Sequence, residues 1–253
     1  MELNTLYNEN CLETMKRMPS GYVDMIITSP PYDDMKDYNG YTFDFYATAR
    51  EMHRILKDGG VIVWIVNDQT KNGSESGTSF KQALFFMNLG LNLHDTMIWH
   101  KPNAFNFGSN LCYRQSFEYM FVFSKGRPKS IHLIHDVPNR CAGQVVSGGR
   151  KHTDGSRDPY RSVMKEWKRR DNVWDVPVGT ENVDFPAVFP LQMVKDHIVT
   201  WSDESDIVYD PFMGSGTTAL ACIQTKRQWI GSEISSEYCE KAEKRIMGAC
   251  API

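Results

Sequence analysis

The stretch "DIVYDPFMGSGTTALACIQTKRQWIGSEIS", residues 206–235, opens on a short apolar run, turns at Gly214 and Gly216, continues through a helix-forming segment and closes on a second apolar run. Gly214, Gly216 and Ala219 keep G-x-G-x-x-A spacing just after the first strand, and Glu233 stands 23 residues beyond Asp210 at the end of the second. This arrangement can hold an adenosine cofactor: the glycines let the backbone approach the ligand, and the carboxylate accepts from ribose hydroxyls. No lysine follows in G-x-x-x-x-G-K-[ST] spacing, which excludes a phosphate-cradling P-loop. On these residues alone a nicotinamide enzyme stays open, although nothing recognisable would serve as its hydride-transfer acid. The 20 residues after Glu233 suffice for the helix "SSEYCEKAEKRIMG", so the remaining strands of the sheet are expected from the N-terminal half.

That half supplies them. "VDMIIT" (23–28) and "GVIVWIV" (60–66) read as buried strands, matching "DIVYD" (206–210) and "RQWIGS" (227–232). Between the first two, Phe45, Ala49, Met52 and Leu56 share one helical face, with Gly59-Gly60 as the stop. "FKQALFFMNLG" reads as a second helix, "LHDTMIWHK" and "SFEYMFVFSKG" as further strands, and "PAVFPLQMVKDHIVTWS" (186–202) as a helix. The pattern predicts a doubly wound, mostly parallel α/β sheet. Three regions follow: 1–126, 127–180 and 181–253, the outer two forming halves of one domain.

The middle region carries the charge asymmetry. Lys125 to Arg170 holds twelve Lys or Arg against Asp136, Asp154, Asp158 and Glu166, a local +8 within a chain of net charge -3. Its Gly, Ser and Pro content and lack of apolar periodicity predict an irregular insert able to lie against a polyanion; a solvated charged face is the alternative. The six cysteines are scattered without a C-x-x-C pair, and His132, His135 and Cys141 match no common zinc spacing, so neither a disulfide framework nor a metal site is expected. No apolar run approaches a membrane span and "MELNTLYNEN" lacks signal-peptide features, so a cytoplasmic location is expected.

At the end of the first strand stands "TSPPY", residues 28–32. Alone, it reads as a proline turn with a core tyrosine. In one sheet with residues 206–235, however, its loop and the glycine loop leave the same strand edge, where ligands of open α/β sheets bind.

Together these residues resemble the amino-group DNA methyltransferases of the permuted β type, which place "SPPY" or "DPPY" before the recognition region and "DPFxGSGTT" after it. The likeness covers "NENCLETM" (8–15), "TSPPY" (28–32), "IWHKPNA" (98–104), "FEYMFVFSKG" (117–126), "FPAVFP" (185–190), "DPFMGSGTT" (210–218) and "IGSEIS" (230–235). One departure is Asn10, where the family usually has an acid. The resemblance implies S-adenosylmethionine as cofactor and duplex DNA as partner, with a cognate restriction endonuclease as a further candidate.

Residue by residue, it implies an acceptor platform in Ser29, Pro30, Pro31 and Tyr32. Ser29 Oγ and the Pro30 carbonyl would accept from an exocyclic amine, the prolines would fix the backbone, and Tyr32 would stack a flipped base. Asp210, Phe212, Gly214, Ser215, Gly216 and Thr217 would surround the cofactor, with Glu233 on its ribose, Pro186 and Phe189 closing the pocket, and Asn10 nearby. Bland alternatives stand beside these: Phe212 in the core, Asp210 capping a turn, Thr217 capping a helix. Arg140, Arg150, Lys151, Arg157, Arg161, Lys168, Arg169 and Arg170 are the candidate DNA contacts. Serine rather than aspartate ahead of "PPY" points to the 4-amino group of cytosine, with the 6-amino group of adenine as the alternative; a protein or small-molecule methyltransferase is disfavoured by the motif order and the +8 insert. Carbon-5 methylation is excluded because none of the cysteines follows a proline.

Overall fold

The computed structural model describes residues 1–31, 43–104, 112–179 and 189–250. They form two compact units, Met1–His132 with Asn172–Ile253, and Leu133–Asp171. In chain order the first contains β1 (Thr5–Tyr7), α1 (Cys11–Lys16), β2 (Val23–Thr28), α2 (Phe45–Ile55), β3 (Leu56–Val66), the short β4 (Thr70–Lys71) and β5 (Ser74–Glu75), α3 (Thr78–Asn88), β6 (Asn92–His100) and β7 (Phe117–Ser124). The second holds β8 (Val137–Pro138), β9 (Val145–Lys151), β10 (Arg157–Val163) and β11 (Trp167–Lys168). The chain then completes the first unit with β12 (Val173–Asp175), α4 (Leu191–Trp201), β13 (Ile207–Asp210), α5 (Thr217–Thr225), β14 (Gln228–Ser232) and α6 (Ser236–Cys250).

Among the described residues, eight strands form one sheet in the order β1-β14-β13-β2-β3-β7-β6-β12. Strand β7 runs antiparallel to both neighbours and every other pairing is parallel, so the fold is the expected doubly wound α/β type. Alternate residues of β3 explain the two layers. Val61, Val63 and Ile65 face a core completed by α4 and α5, while Ile62, Trp64 and Val66 face one completed by α1, α2 and α3. β2 steps to β3 on one side and β13 steps to β14 on the other, so strand order reverses between β2 and β13. The two halves of the chain meet there, with Val208 opposite Met25 and Tyr209 opposite Ile26.

Three boundaries differ from the sequence reading. Helix α2 stops at Ile55, and Leu56 is already extended and paired with Val23, because the buried β2–β3 ladder outcompetes one more helical turn. Gly59 and Gly60 serve a close approach instead of a helix stop: a Cβ on Gly60 would lie 2.8 Å from the Asp24 carbonyl oxygen. Helix α4 begins at Leu191, just past Pro190, and residues 186–188 lie outside those described. Within the second unit, β9 and β10 pair antiparallel over seven residues each, and β8 pairs with β11. Among the described residues no helix is long and apolar enough to cross a membrane.

Candidate active site

The rim where β2 and β13 end is held by one carboxylate. Asp210 Oδ1 accepts from the Thr28 hydroxyl at 2.6 Å and from the Phe212 N–H at 3.0 Å, while Oδ2 accepts from the Thr218 hydroxyl at 2.6 Å. Thr28 closes β2, Asp210 closes β13 and Thr218 lies in the first turn of α5, so a single buried group ties three elements. Burial raises its pKa from 3.8 to about 6, opposed by these hydrogen bonds. Ser29, half-buried, and Pro30, buried, follow Thr28 directly, which sets them beside the start of the glycine loop.

That loop is shaped from both sides. Gly214 and Gly216 have φ of +52° and +79°, and Gly216 forms the N-cap of α5. Glu233, at the end of β14, accepts the Gly214 N–H on Oε2 at 3.0 Å and the Ser235 N–H on Oε1 at 2.9 Å. Burial raises its pKa above the usual carboxylate value against the pull of those two amides. Asn8 braces the same turn by donating to the Glu233 carbonyl at 2.9 Å. From α6, Arg245 Nη1 donates to the Thr217 hydroxyl at 2.8 Å and to the Ser215 carbonyl at 3.0 Å, so these two buried residues support the loop's shape.

The remaining candidates separate clearly. Phe212 packs edge-on against Phe43 with ring centroids 5.0 Å apart, joining the core as well as the rim. Phe189 is half-buried against the α4–α5 core. Asn10 is committed to helix α1, where its side chain accepts the Leu12 N–H at 2.9 Å. Tyr32 and Pro186 lie outside the described residues. All eight candidate DNA-contacting cations belong to the second unit, and Arg170 there is ion-paired with Asp136. Thr28, Thr218, Asn8 and Arg245 were not singled out by sequence, because a hydroxyl or amide that supports a loop carries no spacing signature.

A family model described as DNA methylase, for N6 and N4 methyltransferases, matches residues 23–244. The chain belongs to this DNA methylase family. It is 47% identical over 235 residues to the orphan methyltransferase M.BamHII of Bacillus amyloliquefaciens, covering 88% of each chain. It is 25% identical to the type II methyltransferase M.XycI of Xanthomonas campestris pv. cyanopsidis, over 97% of this chain and 88% of that one. Its fold is similar to that of the cytosine-N4-specific PvuII DNA methyltransferase, with TM-score 0.70, 18% identity and coverage of 97% and 90%. It is also similar to that of a putative DNA modification methylase of Thermus thermophilus, crystallised with S-adenosyl-L-methionine (TM-score 0.66, 22% identity, coverage 98% and 96%).

In this DNA methyltransferase the glycine loop has little slack. A Cβ on Gly216 would lie 3.2 Å from Ile246 Cδ1 and 3.3 Å from Ala242 Cβ, in a backbone conformation that L residues disfavour by about 1–2 kcal/mol. Gly216→Val is therefore expected to displace the loop from α6 and weaken S-adenosylhomocysteine binding about tenfold or more, as read by calorimetry. An unchanged dissociation constant would place the ligand away from this loop.

Proposed function

We propose that this DNA methyltransferase transfers a methyl group from S-adenosylmethionine to the 4-amino group of cytosine in duplex DNA, acting in the cytoplasm on a base flipped out of the stack. The observation that carries the reading is the position of Ser29: a serine heads the proline platform, one residue beyond the Thr28–Asp210 hydrogen bond that joins β2 to the strand feeding the glycine loop.

When bound, S-adenosylmethionine supplies an electrophilic methyl, so the protein's task is positioning and electrostatics, with no covalent enzyme intermediate. Glu233 would meet the ribose hydroxyls: its carboxylate accepts the Gly214 and Ser235 amides, and a carboxylate oxygen can take more than one donor. Gly214 and Gly216 line the adenosine, Asp210 and Phe212 lie beside them at the rim, and Ser215 and Thr217 hold the loop through Arg245. Phe189 and Pro186 close the pocket. Ser29 Oγ and the Pro30 carbonyl accept the amine hydrogens, which localises the nitrogen lone pair. So held, the nitrogen would present its lone pair toward the glycine loop, and the proton that the product amine no longer carries would leave to solvent. Pro31 fixes the platform and Tyr32 stacks the flipped base.

Region 127–180 is proposed as the target-recognition segment. Its charge excess suits a phosphate backbone. DNA from cells expressing the chain, digested to nucleosides and weighed, is expected to contain 4-methylcytosine. Finding 6-methyladenine instead would overturn the target base, and finding neither would overturn the proposal.

A further inference from the structure

We propose that the β9–β10 ribbon presents one particular face to duplex DNA, the face carrying Lys151, Arg157 and Arg161, and turns Arg150 and Tyr160 away from it. This rests on the DNA-target reading of the insert and goes further by assigning the surface.

The register defines the two faces. Directly opposed residues of an antiparallel pair point the same way, and successive residues alternate. One face therefore holds Val145 with Val163, Ser147 with Arg161, Gly149 with Pro159 and Lys151 with Arg157. The other holds Val146 with Ser162, Gly148 with Tyr160 and Arg150 with Asp158. Two glycines corroborate this assignment. A Cβ on Gly149 would meet Arg157 Cδ at 3.2 Å, and one on Gly148 would meet the Tyr160 ring at 3.0 Å. Each glycine thus lets the side chain beside it lie flat across the ribbon, the arginine on one face and the tyrosine on the other.

Charge separates the faces. The first has three cations and no acid. On the second, Asp158 stands opposite Arg150 and binds His152 Nε2 at 2.7 Å, so its single arginine confronts a carboxylate. All fourteen strand residues are exposed, leaving neither face committed to a core. A two-stranded ribbon, here about 23 Å long, is an element that a major groove roughly 12 Å wide admits along its course. There the first face meets phosphates and base edges with no repulsion, whereas the second would carry Asp158 into a field of negative charge.

Charge-matched variants separate face from net charge. The full chain with S-adenosylhomocysteine is titrated into a 30-base-pair duplex of mixed sequence at several salt concentrations, with thermal midpoints confirming folding. Arg161→Gln is expected to weaken binding roughly fivefold or more, and Arg150→Gln less than about twofold. The triple variant Lys151→Gln, Arg157→Gln, Arg161→Gln should flatten the log–log salt slope by about 2 to 3. Equal losses for Arg161→Gln and Arg150→Gln, or an unchanged slope in the triple variant, would overturn the assignment while leaving the DNA-target reading intact. A wild-type chain whose affinity for the duplex ignores salt would overturn both.

Discussion

Asp210→Ala is expected to destabilise the protein by about 3 kcal/mol or more and to remove measurable binding of S-adenosylhomocysteine. The substitution strips the acceptor from the Thr28 and Thr218 hydroxyls and the Phe212 N–H. Each buried donor left unpaired costs about 1–3 kcal/mol. The same carboxylate also dictates a pH dependence. Burial raises its folded pKa from 3.8 to about 6, so the stability it contributes is fully present below about pH 4 and is lost as pH rises through 6. A shift of about two units corresponds to about 3 kcal/mol. Glu233 is displaced in the same direction, by burial first, and adds to the slope. Asp210→Asn keeps the shape and cannot ionise, so urea unfolding of wild type should lose stability between pH 4 and 7 relative to this variant. Parallel curves for the two proteins would show that Asp210 titrates normally.

Ser29→Ala is expected to lower kcat for methyl transfer about a hundredfold while leaving S-adenosylmethionine affinity unchanged. That magnitude is typical for losing one preorganised hydrogen-bond partner at a reacting group. The split between rate and cofactor binding follows from geometry: Ser29 extends from β2, whereas the glycine loop is held by Glu233, Arg245 and Asp210. Since Ser29 is half-buried, the change leaves no large cavity and the melting temperature should move little. A full-rate Ser29→Ala enzyme would reduce "SPPY" to a proline turn.

Much of the sheet was legible because six of its strands are apolar runs whose period survives in the sequence. Strands β1 and β12, three residues each, carry no such signal; pairing with β14 and β6 makes them strands. The β9–β10 ribbon was hidden for the opposite reason: with both faces in solvent it needs no alternation of apolar and polar residues. The glycine loop announces itself through residues whose φ is positive, but Arg245 and Asn8 act from distant segments and became visible only through the hydrogen bonds they make. The Asn10 side chain caps α1, a local role that leaves the cofactor expectation for this residue untouched.

Whether the serine platform and the glycine loop form one site is tested most directly by introducing Thr28→Val into both the wild type and Asp210→Ala, and measuring unfolding free energies. In wild type the change removes a 2.6 Å hydrogen bond and should cost about 1–2 kcal/mol. In Asp210→Ala it deletes a hydroxyl already orphaned, and should be neutral or stabilising. The same cost in both backgrounds would contradict the Thr28–Asp210 tie and, with it, the shared rim between the two halves of the chain.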